Sequence, residues 1–216
     1  MLELYGHPFS SYTWKVLIAL YANHTPFTFR CISGEHPEHG ARVQAVTPQG
    51  KFPLLVDGAT EVFEATSIVE YLALVHPGAM PLLPADAYAS AQVRMIDRVF
   101  DNYVMGPMQD VVQEYLRNHD APDMTRVEPA LARLERSYGW LEHWLQSYSP
   151  TAAITLVECA AAPSLFYADW VRPIGDAFPR LKAFRAHLLA LPPVAQCVEE
   201  ARPYRPFFPL GAPDRD

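Results

Sequence analysis

Proline divides this chain into two parts with different residue patterns. Of the 216 residues, 21 are proline, about twice the usual share of roughly 5%. Three prolines and a glycine fall within Pro77–Ala87, a composition that suits neither a helix nor a strand. We therefore predict a linker at residues 78–87, between a first domain of residues 1–77 and a second domain of residues 88–216.

Strand and helix patterns alternate before the linker. Short apolar runs predict strands, and apolar residues at helical spacing, such as Trp14, Leu17, Ile18 and Tyr21, predict helices. The expected elements, in the order β-α-β-α-β-β-α, are Leu2–Tyr5, Ser10–Asn23, Phe27–Cys31, Pro37–Val46, Leu54–Val56, Glu61–Phe63 and Ala65–Val75. This order predicts an α/β layer in which helices pack against one sheet.

After the linker, only helical patterns remain. Apolar residues three and four apart predict a long helix over residues 93–107 that bends or ends near Gly106 and Pro107. Further helices are expected at residues 131–145, Thr155–Val171 with an interruption at Pro163, Pro179–Ala190 and Pro193–Ala201. The last segment, Arg202–Asp216, contains four prolines and is expected to be a non-helical tail. The second domain is therefore predicted to be an all-α bundle.

Composition excludes several classes of protein. Half of the residues are hydrophobic and 19% are charged, which is enough apolar material for a core and excludes a disordered chain. A net charge of −7 without a basic run argues against nucleic acid as a partner. Cys31, Cys159 and Cys197 lie far apart, so we expect reduced thiols, a cytoplasmic protein and no metal. No signal segment and no apolar run of about 20 residues is visible, so no membrane association is expected.

Two serines follow the first predicted strand, in the run from Gly6 to Leu20 (GHPFSSYTWKVLIAL). A hydroxyl on Ser10 or Ser11 would lie beside the free N–H groups and the positive dipole end of the next helix. That environment favours a thiolate over a thiol, so it would lower the pKa of a thiol bound there. The alternative is that either serine only caps the helix.

Two further motifs point to a ligand in the first domain. Pro53 stands directly before a predicted strand, where it cannot donate to a sheet. A cis Phe52–Pro53 bond would turn the Phe52 backbone outward to pair with an extended ligand; the alternative is an ordinary trans proline. Glu64 begins the next helix, where backbone N–H groups bind a carboxylate and the glutamate complements an ammonium group. The alternative for Glu64 is a simple helix cap.

A folding motif begins the helix predicted at Thr155–Val171. Thr155 and Glu158 have the spacing of a capping box, and Ile154 with Cys159 has the spacing of a hydrophobic staple. Apolar residues surround most of this helix, so we expect it to be buried. This motif belongs to folding rather than to catalysis.

Together and in this order, these segments resemble the soluble glutathione transferases over nearly the whole chain. The loop GHPFS is similar to the phi-type loop of plants, and SSYTWKVLIAL is similar to the zeta-type isomerases, which have a cysteine where this chain has Tyr12. The resemblance implies a thioredoxin-like first domain, a helical second domain, a cytoplasmic homodimer and glutathione as co-substrate.

The resemblance also implies roles for individual residues. Ser10 would activate the glutathione thiol, and Ser11 is the second candidate for this role. Lys51 and either His36 or His39 would hold the glycine carboxylate, and Glu64 would hold the γ-glutamyl end with Ala65, where the family usually has a serine or threonine. The full set implied for glutathione binding is His36, His39, Lys51, Phe52, Pro53, Glu64, Ala65 and Thr66.

The function expected from this resemblance is conjugation of glutathione to a small, apolar electrophile. Aromatic and methionine side chains of the bundle are expected to line the electrophile pocket between the domains: Tyr103, Met105, Met108, Tyr115, Phe166 and Trp170. The alternatives are a non-catalytic binding or scaffold protein and a glutathione-dependent isomerase or peroxidase of the same fold.

Overall fold

The computed structural model describes residues 1–216, beginning with four strands and three helices that form a thioredoxin-like layer. These elements are β1 (Leu2–Gly6), α1 (Ser11–Ala22), β2 (Phe27–Cys31), α2 (Pro37–Val46), β3 (Leu54–Asp57), β4 (Thr60–Phe63) and α3 (Ala65–Val75). The expected order β-α-β-α-β-β-α and the elements' positions are confirmed to within one or two residues.

The four strands form one mixed sheet in the order β2-β1-β3-β4. Strand β1 is parallel to β2 and antiparallel to β3, with Tyr5 opposite Leu54 in the second pair. Strands β3 and β4 form a hairpin whose turn contains Gly58 with a positive φ of 60°. Glycine adopts this left-handed conformation without steric cost, which explains the Asp57–Gly58 turn.

The rest of the chain is helical. Its helices are α4 (Ala87–Val99), α5 (Gly106–Arg117), α6 (Met124–Trp144), α7 (Leu156–Val171), α8 (Pro179–Ala190) and α9 (Pro192–Ala201). A π-helical turn, Phe100–Met105, joins α4 to α5, so the predicted change near Gly106 lies between these two helices. None of these helices combines the length and the apolar character that crossing a lipid bilayer requires.

Two expectations for the bundle were wrong. Pro163 does not interrupt α7, in which every residue from Leu156 to Trp170 is buried. Packing on all sides holds the helix together even though Pro163 cannot donate its backbone hydrogen bond. The tail is also not wholly irregular, because Arg202–Phe207 forms a 3₁₀ turn. The fixed φ of proline is compatible with the opening residues of such a short turn.

Helix α1 lies between the two halves of the molecule. It packs against α3 in the first domain and against α7 and α9 in the second. One hydrophobic cluster of 47 buried residues consequently extends through both domains, with Trp14 completely buried within it. This packing fixes the start of α1 relative to the bundle, and the start of α1 carries Ser10.

Candidate functional site

The loop between β1 and α1 is held in place from two directions. The indole Nε1 of Trp14 donates to the Pro8 carbonyl at 2.5 Å, and the Tyr167 hydroxyl of α7 donates to the Phe9 carbonyl at 2.9 Å. At the start of the loop, a Cβ on Gly6 would lie 2.6 Å from the Thr13 side chain. Only glycine therefore allows the strand to approach the helix this closely.

Ser10 is the N-cap of α1. Its Oγ accepts a hydrogen bond from the Thr13 backbone N–H at 3.3 Å, and its backbone is extended. A hydroxyl that accepts this bond still has its own proton to donate. Capping the helix and donating to a bound thiolate are therefore compatible roles for the same Ser10 oxygen. Ser11, one residue further, is buried.

A charged cleft of about 330 Å³ opens beside the first turn of α1, where Tyr12 lines it. Its charged lining residues are Lys51, Glu64, Arg98 and Asp101. The remaining lining residues are Tyr12, Thr47, Pro48, Gln49, Phe52, Pro53, Phe63, Ala65, Asn102 and Gln109. A cleft with two cations and two anions suits a ligand that itself carries both carboxylate and ammonium groups.

Five of the residues predicted for glutathione binding line this cleft: Lys51, Phe52, Pro53, Glu64 and Ala65. The Phe52–Pro53 bond is cis, as the sequence predicts. Neither His36 nor His39 is among the lining residues; the Nδ1 of His39 lies instead 2.7 Å from the Cys31 carbonyl.

Glu64 has an unusual backbone conformation at the start of α3. Its φ is 68° and its ψ is 115°, and its side chain makes no capping hydrogen bond. A non-glycine residue with positive φ is uncommon and carries a steric cost. The exposed carboxylate is therefore not engaged as a helix cap and faces the cleft, whereas Ala65 beside it is buried.

The hydroxyl of Thr66 is occupied by contacts between the domains. It accepts from Lys15 Nζ at 2.8 Å and donates to Asp97 Oδ2 at 3.0 Å. Lys15, only 1% exposed, also forms ion pairs with Asp97 and with Asp101, the latter at 2.8 Å. Thr66 is thus part of a buried ionic cluster that joins α1 and α3 to α4 and the π-helical turn.

Sequence reasoning did not assign a binding role to several lining residues. Tyr12 lines the cleft, and its desolvation, reinforced by the charge of Asp101, raises its pKa to about 12. The phenol therefore stays protonated near neutral pH and acts as a hydrogen-bond donor. Arg98 and Asp101 come from the bundle, more than 30 residues beyond Glu64. No local sequence signal assigns Arg98 and Asp101 to the cleft, because only the packing of the two domains brings them there.

A second pocket, of about 240 Å³, is lined by Ser10 and residues of the bundle. It is lined by Phe9, Ser10, Ser11, Met108, Gln109, Val112, Gln113, Leu116, Tyr167, Phe207, Phe208 and Pro209, none of which is charged. Ser10 and Ser11 line the uncharged pocket and not the charged cleft, and Gln109 is shared by the two linings.

Of the residues expected to bind the electrophile, Met108 lines this uncharged pocket. Met105 and Phe166 are buried in the main core, and Tyr115 packs against a separate small cluster around Val111. Tyr103 is 60% exposed and lines a different cavity on the bundle.

Trp170 is also buried and does not line the uncharged pocket, but it packs against residues that do. Its ring packs against Phe9 and against Phe208, both of which line the pocket. The tail contributes Phe207, Phe208 and Pro209, so the 3₁₀ turn and the residues after it cover one side of the pocket.

Comparisons with known proteins identify a matching family model and similar proteins. Residues 4–79 match the family model of the glutathione S-transferase N-terminal domain. A glutathione S-transferase of Silene vulgaris is 37% identical over 35% of this chain and 35% of its own length. A probable maleylacetoacetate isomerase of Vibrio cholerae is 24% identical over 94% of this chain and 97% of its own length. The relatives above 30% identity align over half of their own length or less.

A solved structure is similar over almost the entire fold. The glutathione S-transferase of Methylobacillus flagellatus, crystallised with glutathione, superposes with a TM-score of 0.78 at 22% identity. The superposition covers 91% of this chain and 98% of that protein. The fold is therefore a thioredoxin-like domain followed by a helical domain. Residues 4–79 match the N-terminal domain of the glutathione S-transferases, and the chain shares the fold of a solved glutathione S-transferase over nearly its whole length.

Proposed function

We propose that this protein is a glutathione transferase that conjugates glutathione to small, neutral electrophiles. The observation that carries the proposal is the position of Ser10, whose hydroxyl caps α1 and lines the uncharged pocket beside the charged cleft. Glutathione would occupy the cleft, and its thiol would point toward Ser10. The glutathione bound in the Methylobacillus flagellatus protein supports this choice of co-substrate.

Charge matching supports the orientation of glutathione in the cleft. Lys51 would attract the glycine carboxylate, and Glu64 would attract the γ-glutamyl ammonium group. The γ-glutamyl carboxylate would bind the backbone N–H groups at the start of α3, as anions do at helix N-termini. Phe52 and Pro53 line the cleft, and the Phe52 backbone would pair with the cysteinyl unit.

Activation of the thiol would follow from the two positive influences at the start of α1. The Ser10 hydroxyl would donate a hydrogen bond to the thiolate, and the helix dipole would stabilise its negative charge. The ionised sulfur then attacks the electrophile and forms the new carbon–sulfur bond, while the leaving group departs with its electron pair. Ser10 is not consumed and forms no covalent bond.

The second pocket favours a neutral substrate. It holds about 240 Å³ and combines aromatic and aliphatic walls with the amides of Gln109 and Gln113, but no charged group. Burial of an unpaired charge there would be costly. An isomerase substrate such as maleylacetoacetate, the compound in the name of the Vibrio cholerae relative, carries carboxylates that this lining does not neutralise.

The direct test compares two substrate types under identical conditions. Purified protein and glutathione are assayed with chlorodinitrobenzene, a neutral aryl halide, and with maleylacetone, an anionic isomerase substrate. We expect conjugation of the aryl halide and little or no isomerisation. Isomerisation faster than conjugation would assign the chain to the isomerases. Glutathione binding by calorimetry without either reaction would favour the scaffold alternative.

We also propose that the protein is a cytoplasmic homodimer. The three free cysteines support a reducing compartment. Exposed apolar side chains support an interface: Tyr88 and Met95 lie seven residues apart on α4 and are 75% and 48% exposed. Residues with this spacing share one helix face. Light scattering after size-exclusion chromatography tests the dimer, and a monomer at micromolar concentration would contradict it.

A further inference from the structure

The first turn of α2 contains a cluster of potential metal ligands outside the glutathione cleft. His36 is the N-cap residue of α2, and Glu38 and His39 lie in its first turn. One ligand atom from each of these three residues lies within 4.8 Å of the other two. We propose that His36, Glu38 and His39 bind a divalent transition-metal ion, zinc above all. The proposal does not depend on the protein's activity.

The distances in the cluster are close to those of a tetrahedral centre. Zinc bonds of about 2.0–2.1 Å to nitrogen and oxygen place neighbouring ligand atoms about 3.3 Å apart. The Nδ1 of His36 and the Oε1 of Glu38 are already 3.2 Å apart, and the Nε2 of His39 is 3.8 Å from the same oxygen. The ligand atoms of the two histidines lie within 4.8 Å of each other, and the side chains of His36 and Glu38, both more than half exposed, have room to rotate toward a shared ion.

His39 is held in the orientation that a metal ligand requires. Its Nδ1 lies 2.7 Å from the Cys31 carbonyl, which can only accept a hydrogen bond. This nitrogen therefore carries the proton, and Nε2 keeps its lone pair toward the cluster. The ring also packs edge-on against Tyr5 and is 14% exposed. Metal-binding histidines are typically oriented by such a bond from the other ring nitrogen.

Charge and ligand type select the metal. A cation at a helix N-terminus is opposed by the helix dipole, and the ionised carboxylate of Glu38 offsets that repulsion. Two imidazoles and one carboxylate match the donor preference of zinc, whereas magnesium and calcium prefer sites made entirely of oxygen. Three protein ligands leave the fourth tetrahedral position to water or to an exogenous ligand. The site is therefore of the open type.

Calorimetric titration of zinc into the untagged protein tests the proposal. We expect one equivalent to bind to the wild type, and magnesium not to bind. His36→Ala and His39→Ala should each weaken zinc binding about tenfold or more, since even residues that only support a ligand contribute that much. Glu38→Gln should weaken it as well. The matched control is His119→Ala, an exposed histidine beside Asp120, which should leave zinc affinity unchanged.

Two further measurements make the test decisive. Cobalt should give the intense visible absorption of a tetrahedral centre in the wild type, and His39→Ala should abolish it. Glutathione affinity is measured in the same variants. The proposal is overturned if zinc binds equally well without His36 and His39. It is also overturned if these substitutions weaken glutathione binding and leave zinc binding unchanged, because the histidines would then belong to the cleft.

Discussion

Ser10 carries the chemistry at the scale of single residues. A hydrogen bond to a charged group contributes about 1.5–3 kcal/mol, and about 1.36 kcal/mol corresponds to one pKa unit. Ser10→Ala should therefore raise the pKa of the bound glutathione thiol by about one to two, and slow conjugation below that pKa about 10- to 100-fold. Thiolate absorbance of the complex, titrated with pH, measures this change. An unaltered thiol pKa would contradict the role.

Ser10→Ala also removes the N-cap of α1, and this loss of stability is separate from the loss of thiol activation. Ser10→Gly is the control that separates the two effects. Alanine at an N-cap costs about 1 kcal/mol, whereas glycine costs only a few tenths relative to serine. Ser10→Gly should therefore keep the stability of the fold but lose the thiol activation. Ser11→Ala, at the neighbouring buried hydroxyl, should change the thiol pKa much less than Ser10→Ala does.

Ala65 lacks a hydroxyl at a position that lines the cleft. Ala65→Ser would give the γ-glutamyl carboxylate a new donor, and the lower end of the 1.5–3 kcal/mol range applies because the hydroxyl loses water and rotamer freedom. Glutathione binding should tighten about tenfold, since ~1.4 kcal/mol is one decade in affinity.

Thr66→Ala is the control for this substitution. Because the Thr66 hydroxyl bonds Lys15 and Asp97, its removal should lower stability and leave glutathione affinity nearly unchanged. Calorimetry on the three proteins measures both effects. If Ala65→Ser has no effect on affinity, the γ-glutamyl carboxylate binds elsewhere.

At the scale of secondary-structure elements, the capping box determines where α7 begins. Thr155 Oγ1 accepts from the Val157 N–H at 3.1 Å, and Glu158 Oε2 accepts from the Thr155 N–H at 2.8 Å. Thr155→Ala should lower the free energy of unfolding by about 1 kcal/mol or more without changing glutathione affinity. Urea denaturation measures this. Ser149→Ala, at an exposed serine between α6 and α7, is the control and should change stability little.

The Asp57 carboxylate connects the end of β3 to α3 and to the residue that follows α3, and its contribution to stability depends on pH. The His76 ring at 2.6 Å, and then the Tyr71 hydroxyl at 3.0 Å, hold the pKa of Asp57 below its ordinary value. A lowered folded-state pKa contributes stability above the unfolded value of about 3.9, and this stability is lost as pH falls through the folded-state pKa.

Asp57→Asn should therefore destabilise the protein at neutral pH, and the difference from the wild type should shrink steadily below about pH 4. Denaturation at several pH values measures it. Asp120→Asn, at a fully exposed aspartate, should show no such dependence. A constant difference between Asp57→Asn and wild type down to the acid transition would contradict the role of this carboxylate.

At the scale of the whole molecule, the buried ionic cluster joins the two domains. Lys15→Met would leave Asp97 and Asp101 with the half-exposed Arg98 as their remaining cation. Removal of one partner from a buried pair costs about 3–5 kcal/mol, and the lower end of that range is expected because Arg98 stays in place. The double variant Lys15→Met/Asp97→Asn should recover part of that loss. Thermal unfolding of the three proteins measures it, and a loss below about 1 kcal/mol in the single variant would show that the cluster contributes little.

The sequence by itself determined the local features of this protein. The order of strands and helices, the capping box, the turn at Gly58 and the position of Ser10 follow from hydrophobic periodicity and from residues with specific backbone preferences. These signals act over a few residues, so a single sequence expresses them fully. The same local reading was wrong at Pro163, because burial of α7 on all sides overrides the preference of one proline.

Only the tertiary structure decided which distant side chains share a site. Arg98 and Asp101 line the cleft, and the Thr66 hydroxyl forms hydrogen bonds with Lys15 and Asp97. The tail covers one side of the second pocket. These contacts arise because α1 packs between the sheet domain and the bundle. The histidines of α2 likewise lie outside the cleft lining. Helical spacing cannot distinguish an aromatic residue in the core from one in a pocket, because both are apolar. The packing of one domain against the other makes that distinction.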